Sequence, residues 1–481
     1  MERMNRAEHR EKTVKTALLQ FVFPFSLKPE SGASLVKELG KRGGYTPFYL
    51  NRTELEDAFY GEGFQVSHKK LERYYLHFTG SVLFPRDHNP KAFQRMSKAE
   101  GEIYILETPF FSMPFKVLSV DVIVCPFDLG FLTVRIQINQ TESYSRVLEF
   151  ADRFRVLEDV SAMDNAAFVL CGDERFQQIE QFLFRKVAPG VMPYLDTSDL
   201  DRAYFETLPF FVDERMFVQA VYAFADGETI TTEDQYRALH LDGVNEWGEP
   251  FTSSGNPDFI TGYCDEHIYG RWSPETFFGL NEHTFCCLTN GSETRVRAIA
   301  RQMYGEFYYG VLLNMFHKIV LLKLSNEYSQ VRLERDKEPV EGLIRSITTF
   351  SANYYFLELA SQLEGKELFF QLRQMFGIHD LYLEVKQTLL DLYTYQDREN
   401  AKSSNYLLLL LTMYTVVGGI YGMNQVIEDL KGRIDWSKML EYSIFEYIAL
   451  FTTLTGLVVG IGLSFTLVVK WIRDGIRKRE R

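Results

Sequence analysis

Two sets of residues in this sequence have the types and spacing that chemistry needs. The first is a helical stripe near the C-terminus. Alternating steps of three and four from Glu384 reach Gln387, Asp391, Thr394, Arg398, Ala401, Asn405, Leu408, Thr412, Thr415, Gly419 and Gly422, and the segment closes on Tyr421, Gly422, Met423 and Asn424. The stripe is almost wholly polar or small, while Leu383, Val385, Leu389, Leu390, Leu392, Leu407, Leu409, Leu410, Val416 and Val417 lie off it. The inward stripe of a helical bundle is normally apolar, so a polar one implies a wet centre, and several copies around an axis would line a water-filled path. Turned the other way, the stripe would face water in its first half, and Thr412 and Thr415 would bond back to their own backbone against a neighbouring helix. The final Gly-Met-Asn offers carbonyls and an amide, neutral oxygens suited to gripping a cation through a hydration shell that it gives up reluctantly.

The second set is Cys264, His267, His283, Cys286 and Cys287. Its Cys-x-x-His half has the spacing of zinc ligands, and its other half lacks the regular spacing of a zinc module. Nothing resembles a phosphate-binding loop, a dinucleotide fingerprint, a nucleophile elbow or a zinc-protease helix, and the nine histidines are scattered. No enzyme reading has residues to stand on.

The elements that must position the stripe are two apolar runs, Tyr406 to Ile420 and Ile448 to Val469. Each approaches or reaches the roughly 20 residues that cross a bilayer as a helix. Together they predict a membrane hairpin, and the chain's 481 residues leave about 400 to fold in water. The net charge is −13, although the tail from Lys470 to Arg481 carries six basic and two acidic residues. A basic tail after the second run places the C-terminus in the cytoplasm, and two crossings place the N-terminal part there too. The acidic body argues against nucleic acid as a partner and suits one that gathers cations, though solubility alone also explains it. Five sparse cysteines fit reduced thiols in the cytosol.

Tyr-Gly-Met-Asn at the end of the first of two terminal apolar runs, followed by a short acidic loop and a basic tail, resembles the CorA family of magnesium transport proteins. The resemblance implies a homopentamer in the cell (inner) membrane, in contact with lipid. The first span of each subunit would line the pore, and ions would move passively through it. By resemblance Tyr421, Gly422, Met423 and Asn424 form the selectivity filter, with Asn424 and Gly422 first selecting the hydrated ion. Asn405, Leu408, Thr412, Thr415, Gly419 and Arg398 line the pore, and Glu428, Asp429 and Asp435 of the external loop attract cations. Mg2+ or another divalent cation is then the transported ion and a regulatory one, with no prosthetic group. Carboxylates such as Asp121, Asp128, Glu384 and Asp391 are the pool from which the regulatory sites would come. The family's inner-gate Asn falls, without gaps, at Arg398, and a ring of arginines would repel cations. Either the register shifts to Asn400 or Asn405, or Arg398 turns aside to Asp397 or Glu399. Two alternatives stand beside the channel: a membrane-anchored sensor or scaffold that does not conduct, and a related zinc, cobalt or nickel transporter.

The expected organisation is an α/β cytosolic domain over 1–293, a long helical stalk over 294–404 and a first transmembrane helix over 405–424. An external loop over 425–443, a second transmembrane helix over 444–469 and a basic tail over 470–481 complete it. Within the first domain, Thr13 to Leu27 reads as a strand, and Val117 to Val124 with Phe131 to Ile138 as a hairpin whose second strand buries one face. Ser145 to Leu157 and Asp173 to Lys186 read as helices, and Tyr194 to Cys287 as irregular. One helix is expected from Thr294 to Asp336. A second should open near Pro339 and run to Met375 with Gly377 as cap, and a third should run from His379 into the membrane. Gly305 to Leu324 is apolar enough to tempt a third span, but Glu306, Asn314, His317, Lys318 and Lys323 make it a packed helix instead. Gly418 with Gly422, and Gly456 with Gly460, have spacing that lets helices approach closely.

Overall fold

The computed structural model describes residues 11–41, 43–157, 167–196, 215–331 and 337–422, with parts of 440–458. It divides into two compact units, Met1–Leu389 and Leu390–Arg481.

The first unit is organised by β1 (Thr13–Ser26), an apolar strand broken by Gln20 and buried on both faces from Ala17 onward. After it come α1 (Gly32–Lys41), β2 (Thr46–Pro47), α2 (His68–Tyr74) and α3 (His77–Leu83). β3 (Gln94–Ala99), β4 (Ile103–Glu107), β5 (Ser112–Cys125), β6 (Leu129–Ile138) and β7 (Glu142–Ser143) lead to α4 (Tyr144–Arg155). Then follow β8 (Phe168–Cys171), β9 (Glu174–Phe176), the short α5 (Ile179–Gln181), β10 (Phe217–Phe224), α6 (Thr232–His240) and α7 (Pro257–His267). The sheet ends with β11 (Ile268–Trp272), β12 (Thr276–Leu280) and β13 (Thr284–Thr289). The main path of the sheet runs β11-β12-β13-β10-β1-β6-β5-β4-β8-β9, and the β10–β13 pair is parallel.

The expected strand and hairpin are present, but β6 differs from a one-faced strand. Thr133 and Arg135 are as fully buried as Val134 and Ile136. The reason is that helices cover both faces of the sheet. Phe154 of α4 packs against Phe21 from one side, and on the other Gln20 reaches Met303. Asp173 to Lys186 is not one helix: a hairpin of β8 and β9 comes first, and a π turn over Phe182–Val187 follows α5. The region expected to be irregular holds β10 to β13 and two helices.

The expected helix from Thr294 is two, α8 (Glu293–Tyr304) and α9 (Glu306–Gln330), divided at Gly305. A helix end leaves carbonyls without their usual amides. The Met303 carbonyl is taken instead by the side-chain amides of Gln20 and Gln219, each at 2.9 Å. A Cβ at Gly305 would lie 2.9 Å from the Arg301 oxygen and from Val66 Cγ1, so no larger residue fits the break. α9 is buried nearly all round over its first four turns, as a helix apolar on every side must be. Among the described residues the stretch Glu293–Gln330 is long and apolar enough to cross a membrane, yet 83% of its apolar window is buried. It is a core helix. Two further helices stand where one was expected, α10 (Lys337–Asn353) with Pro339 in its first turn and α11 (Leu363–Met375). Gly377 adopts φ +63° and separates α11 from α12 (Ile378–Gly422).

Under α8 and α9 the sheet carries a row of buried polar side chains. Gln20 lies opposite Arg135 and Gln219, Arg135 opposite Ser119, and Asp121 opposite Thr133 and Ser97. Asp121 is fully buried, pairs with Arg135 Nη1 at 2.7 Å and accepts from Arg95 Nη2 at 3.2 Å, with Arg95 Nε 3.0 Å from its other oxygen. Burial alone would raise its pKa, but the two guanidiniums overcome this and hold the carboxyl below its ordinary value. Arg95 also donates to Ser97 and Tyr309, and Tyr308 donates to Thr133. Replacing Asp121 by Asn would leave two buried guanidiniums without a counter-charge. We expect Asp121→Asn to lower stability by about 3–5 kcal/mol, read as a fall in thermal midpoint of the purified protein.

His317 of α9 is completely buried, its Nε2 donating to the Tyr354 carbonyl at 2.7 Å. Burial pushes its pKa down to about 3, so the folded ring stays neutral. Below the ordinary value of 6.5 the unfolded chain binds a proton that the folded chain refuses. His317 therefore contributes stability that is complete above pH 6.5 and is lost as pH falls toward 3. His317→Gln should make the acid limb of stability shallower by up to about 1.4 kcal/mol per pH unit, measured as unfolding midpoint against pH.

Candidate functional site

α12 begins where Gly377 ends the preceding turn, with Asp380 in its first turn favouring the positive end of the helix dipole. Its helix-forming residues continue without Gly or Pro to Val417, and Glu399 and Lys402 pair along it at 2.8 Å. Within the first unit Val385 and Thr388 are buried, while Glu384 and Gln387 of the stripe are exposed. In the second unit Asp391, Thr394, Arg398, Ala401, Asn405, Leu408, Thr412, Thr415 and Gly419 are all exposed. From Asn400 to Met413 every residue is exposed, so over this stretch the described residues cover neither the stripe nor its apolar flanks.

Thr412 donates its hydroxyl to the Leu408 carbonyl and Thr415 to the Leu411 carbonyl, both at 2.7 Å. With the hydrogen turned back to the helix, the oxygen lone pairs are what these residues offer outward. That chemistry accepts hydrogen bonds and repels none of a cation's water ligands. Tyr421 and Gly422 are the last residues of α12. Met423, Asn424, Glu428, Asp429 and Asp435 lie outside the described residues.

Beside the stripe, the Tyr414 hydroxyl donates to Thr455 Oγ1 at 3.2 Å, and Thr455 donates to the Phe451 carbonyl at 2.7 Å. Gly456 brings its backbone under the Tyr414 ring, where an added Cβ would lie 3.5 Å from Cδ1. A Cβ at Gly418 or Gly419 would meet nothing within 4 Å. Phe451, Leu454 and Val458 of the second apolar run are exposed, like Leu407, Leu409 and Leu411 of the first.

Arg398 is exposed, and Glu399, one of the carboxylates toward which it could turn, is paired with Lys402. Of the carboxylates considered as regulatory ligands, Asp121 is sealed between two guanidiniums and has no access to an ion. Asp128 caps the Glu30 amide at 3.1 Å, and Glu384 accepts from Ser325 at 3.0 Å. The Cys and His set does not assemble. Cys286 and Cys287 sit successively on β13, so their side chains point to opposite faces, and His267 Nδ1 is bound to the Tyr263 carbonyl. Burial raises the Cys264 thiol to about 11 and Cys286 to about 12, away from the thiolate a metal requires. Among the described residues no group of three or more His, Cys, Asp or Glu could hold a metal ion.

Sequence reasoning missed the buried Arg95, Asp121 and Arg135 cluster. Its signal was a charged residue set among the apolar residues of each of two paired strands, Asp121 in β5 and Arg135 in β6. Compared with known proteins, the chain matches no family model, and neither a curated protein nor a solved structure matches it.

The Tyr414 contact gives a direct test of the hairpin. Tyr414→Phe removes one hydrogen bond and keeps the ring on Gly456, so it should cost about 0.5–1.5 kcal/mol. Tyr414→Ala, which also loses the ring, should cost more, as read from thermal unfolding in detergent.

Proposed function

We propose that the protein is a CorA-like divalent cation channel, with Mg2+ as its first ion, assembled as a homopentamer in the cell (inner) membrane. Its N- and C-termini lie in the cytoplasm, and lipid covers the outward apolar residues. The observation that carries this reading is the stripe on α12. It is helical to Gly422, exposed along its described length, and polar or small at almost every step between flanking leucines. The back-bonded Thr412 and Thr415 support it, since a file of acceptor oxygens suits a hydrated cation. The exposed apolar residues of both terminal runs support it as well, because an apolar surface of this extent requires lipid or another subunit. In this reading Asn424 and Gly422 select the ion at the outer mouth. Thr415, Thr412, Leu408 and Asn405 line the path, and Glu428, Asp429 and Asp435 raise the local cation concentration.

A second reading, a non-conducting sensor or scaffold, is favoured by Arg398. Its position on the exposed stripe would set a ring of positive charge across the inner end of the path. A zinc, cobalt or nickel transporter differs from the first reading only in the ion. The test is influx into proteoliposomes with a trapped Mg2+ indicator, comparing wild type with Asn424→Ala and Arg398→Asn. A selective channel gives influx in wild type that falls at least about tenfold in Asn424→Ala, equivalent to losing roughly 1.4 kcal/mol of selective interaction. Influx in Arg398→Asn but not in wild type would establish the sensor reading. Zn2+, Co2+ and Ni2+ run in parallel rank the ions.

A further inference from the structure

The polar row under α8 and α9 holds one more positive charge than it balances. Arg95 and Arg135 are 5% and 0% exposed, and among the described residues both of their ion pairs end on the single carboxylate of Asp121. Arg95 is fully engaged, with Nε on Ser97, Nη1 on Tyr309 and Nη2 on Asp121. Arg135 is not. Its Nε reaches Gln20 at 3.0 Å and its Nη1 reaches Ser119 and Asp121, but Nη2 is shielded from water and has no partner among the described residues. A second donor nearby is in the same condition. The Tyr304 hydroxyl is buried without a partner among the described residues, and the Tyr304 ring centre lies 5.9 Å from Arg135 Cζ.

Buried donors are almost always satisfied, and a buried charge is balanced by an opposite one. The faces of Tyr60 and Tyr308, at 5.3 and 4.9 Å from Arg135 Cζ, take up part of the charge but accept no strong hydrogen bond. A water molecule would occupy the donors and leave the charge. A single-atom anion does both, and its charge of one equals the excess. Larger oxyanions carry several acceptor oxygens, more than the single unpaired groups of Arg135 and Tyr304 would meet.

We propose that Arg135 Nη2 and the Tyr304 hydroxyl form a buried site for a halide ion, chloride in the cell, at the centre of the sheet's helix-covered face. Bound there, the ion ties β6 to the last turn of α8, next to the break at Gly305, so occupancy stabilises the first compact unit.

The test is thermal unfolding of the full-length protein in detergent, in sodium chloride, bromide or gluconate at matched ionic strength. Halide should raise the midpoint and saturate, as mass action requires of a single site, and gluconate should not. Tyr304→Phe keeps the ring and removes only a hydroxyl that bonds nothing else in the described chain. It should fold and require at least about tenfold more halide for the same shift, the loss expected for one hydrogen bond to an ion. Crystals grown in bromide should show an anomalous peak beside Arg135 Nη2. Equal midpoints in chloride and gluconate would overturn the proposal. So would a halide effect unchanged in Tyr304→Phe, or a peak-free site occupied by water.

Discussion

One carboxylate sealed between two guanidiniums governs the packing of the first compact unit. Asp121 faces inward from β5, Arg135 from β6 and Arg95 from β3, so two charged contacts on one carboxylate join three neighbouring strands diagonally across the sheet. Stripping charged groups of water is costly, and an apolar substitute of equal volume is often as stable. What the ionic version adds is directional demand. Each guanidinium offers five N–H donors in a fixed plane, and Ser97, Ser119, Gln20 and Tyr309 are the partners that meet them. A slip of one residue in any of the three strands would turn its charge to the opposite face.

The same row determines how the helices lie on the sheet. Gln20 receives Arg135 Nε on its oxygen and gives its amide hydrogen to Met303, and Gln219 gives a second to the same carbonyl. Two strands therefore capture the end of α8, and α9 starts afresh after Gly305 with Tyr308 and Tyr309 directed at the charged row. The break is a response to the sheet.

This division explains which features were legible in the sequence. Strands made by local pattern were readable: β1 and the β5–β6 hairpin stand where apolar runs and turn residues placed them. So were local helix signals, with Pro339 in the first turn of α10 and Gly377 left-handed before α12. Features made by distant residues were not. The interruption at Gly305 depends on Gln20, 283 positions before the Met303 whose carbonyl it takes, and the parallel pairing of β10 with β13 joins segments separated by two helices and two strands. Asp121 read as a candidate regulatory carboxylate because nothing local indicates that Arg95 and Arg135 would converge on it. Of the candidate site, the helix and its stripe were legible because a helix repeats its faces at fixed steps. Burial of both faces of β6 was not, since the alternation of apolar and polar residues along it suggested a solvated side.

The hairpin of the second unit has a further consequence for the order in which a larger structure could form. Tyr414, Thr455, Thr412 and Thr415 each have their hydroxyl hydrogen directed within one chain, and Gly456 is already covered by the Tyr414 ring. A newly made chain thus enters any assembly with these hydroxyl donors satisfied, presenting leucines, valines and the bare backbone of Gly418 and Gly419. Such a surface imposes shape on its neighbours but little direction. Orientation between copies would have to come from the polar residues of the stripe before Asn405, so correct assembly would be proofread outside the apolar zone.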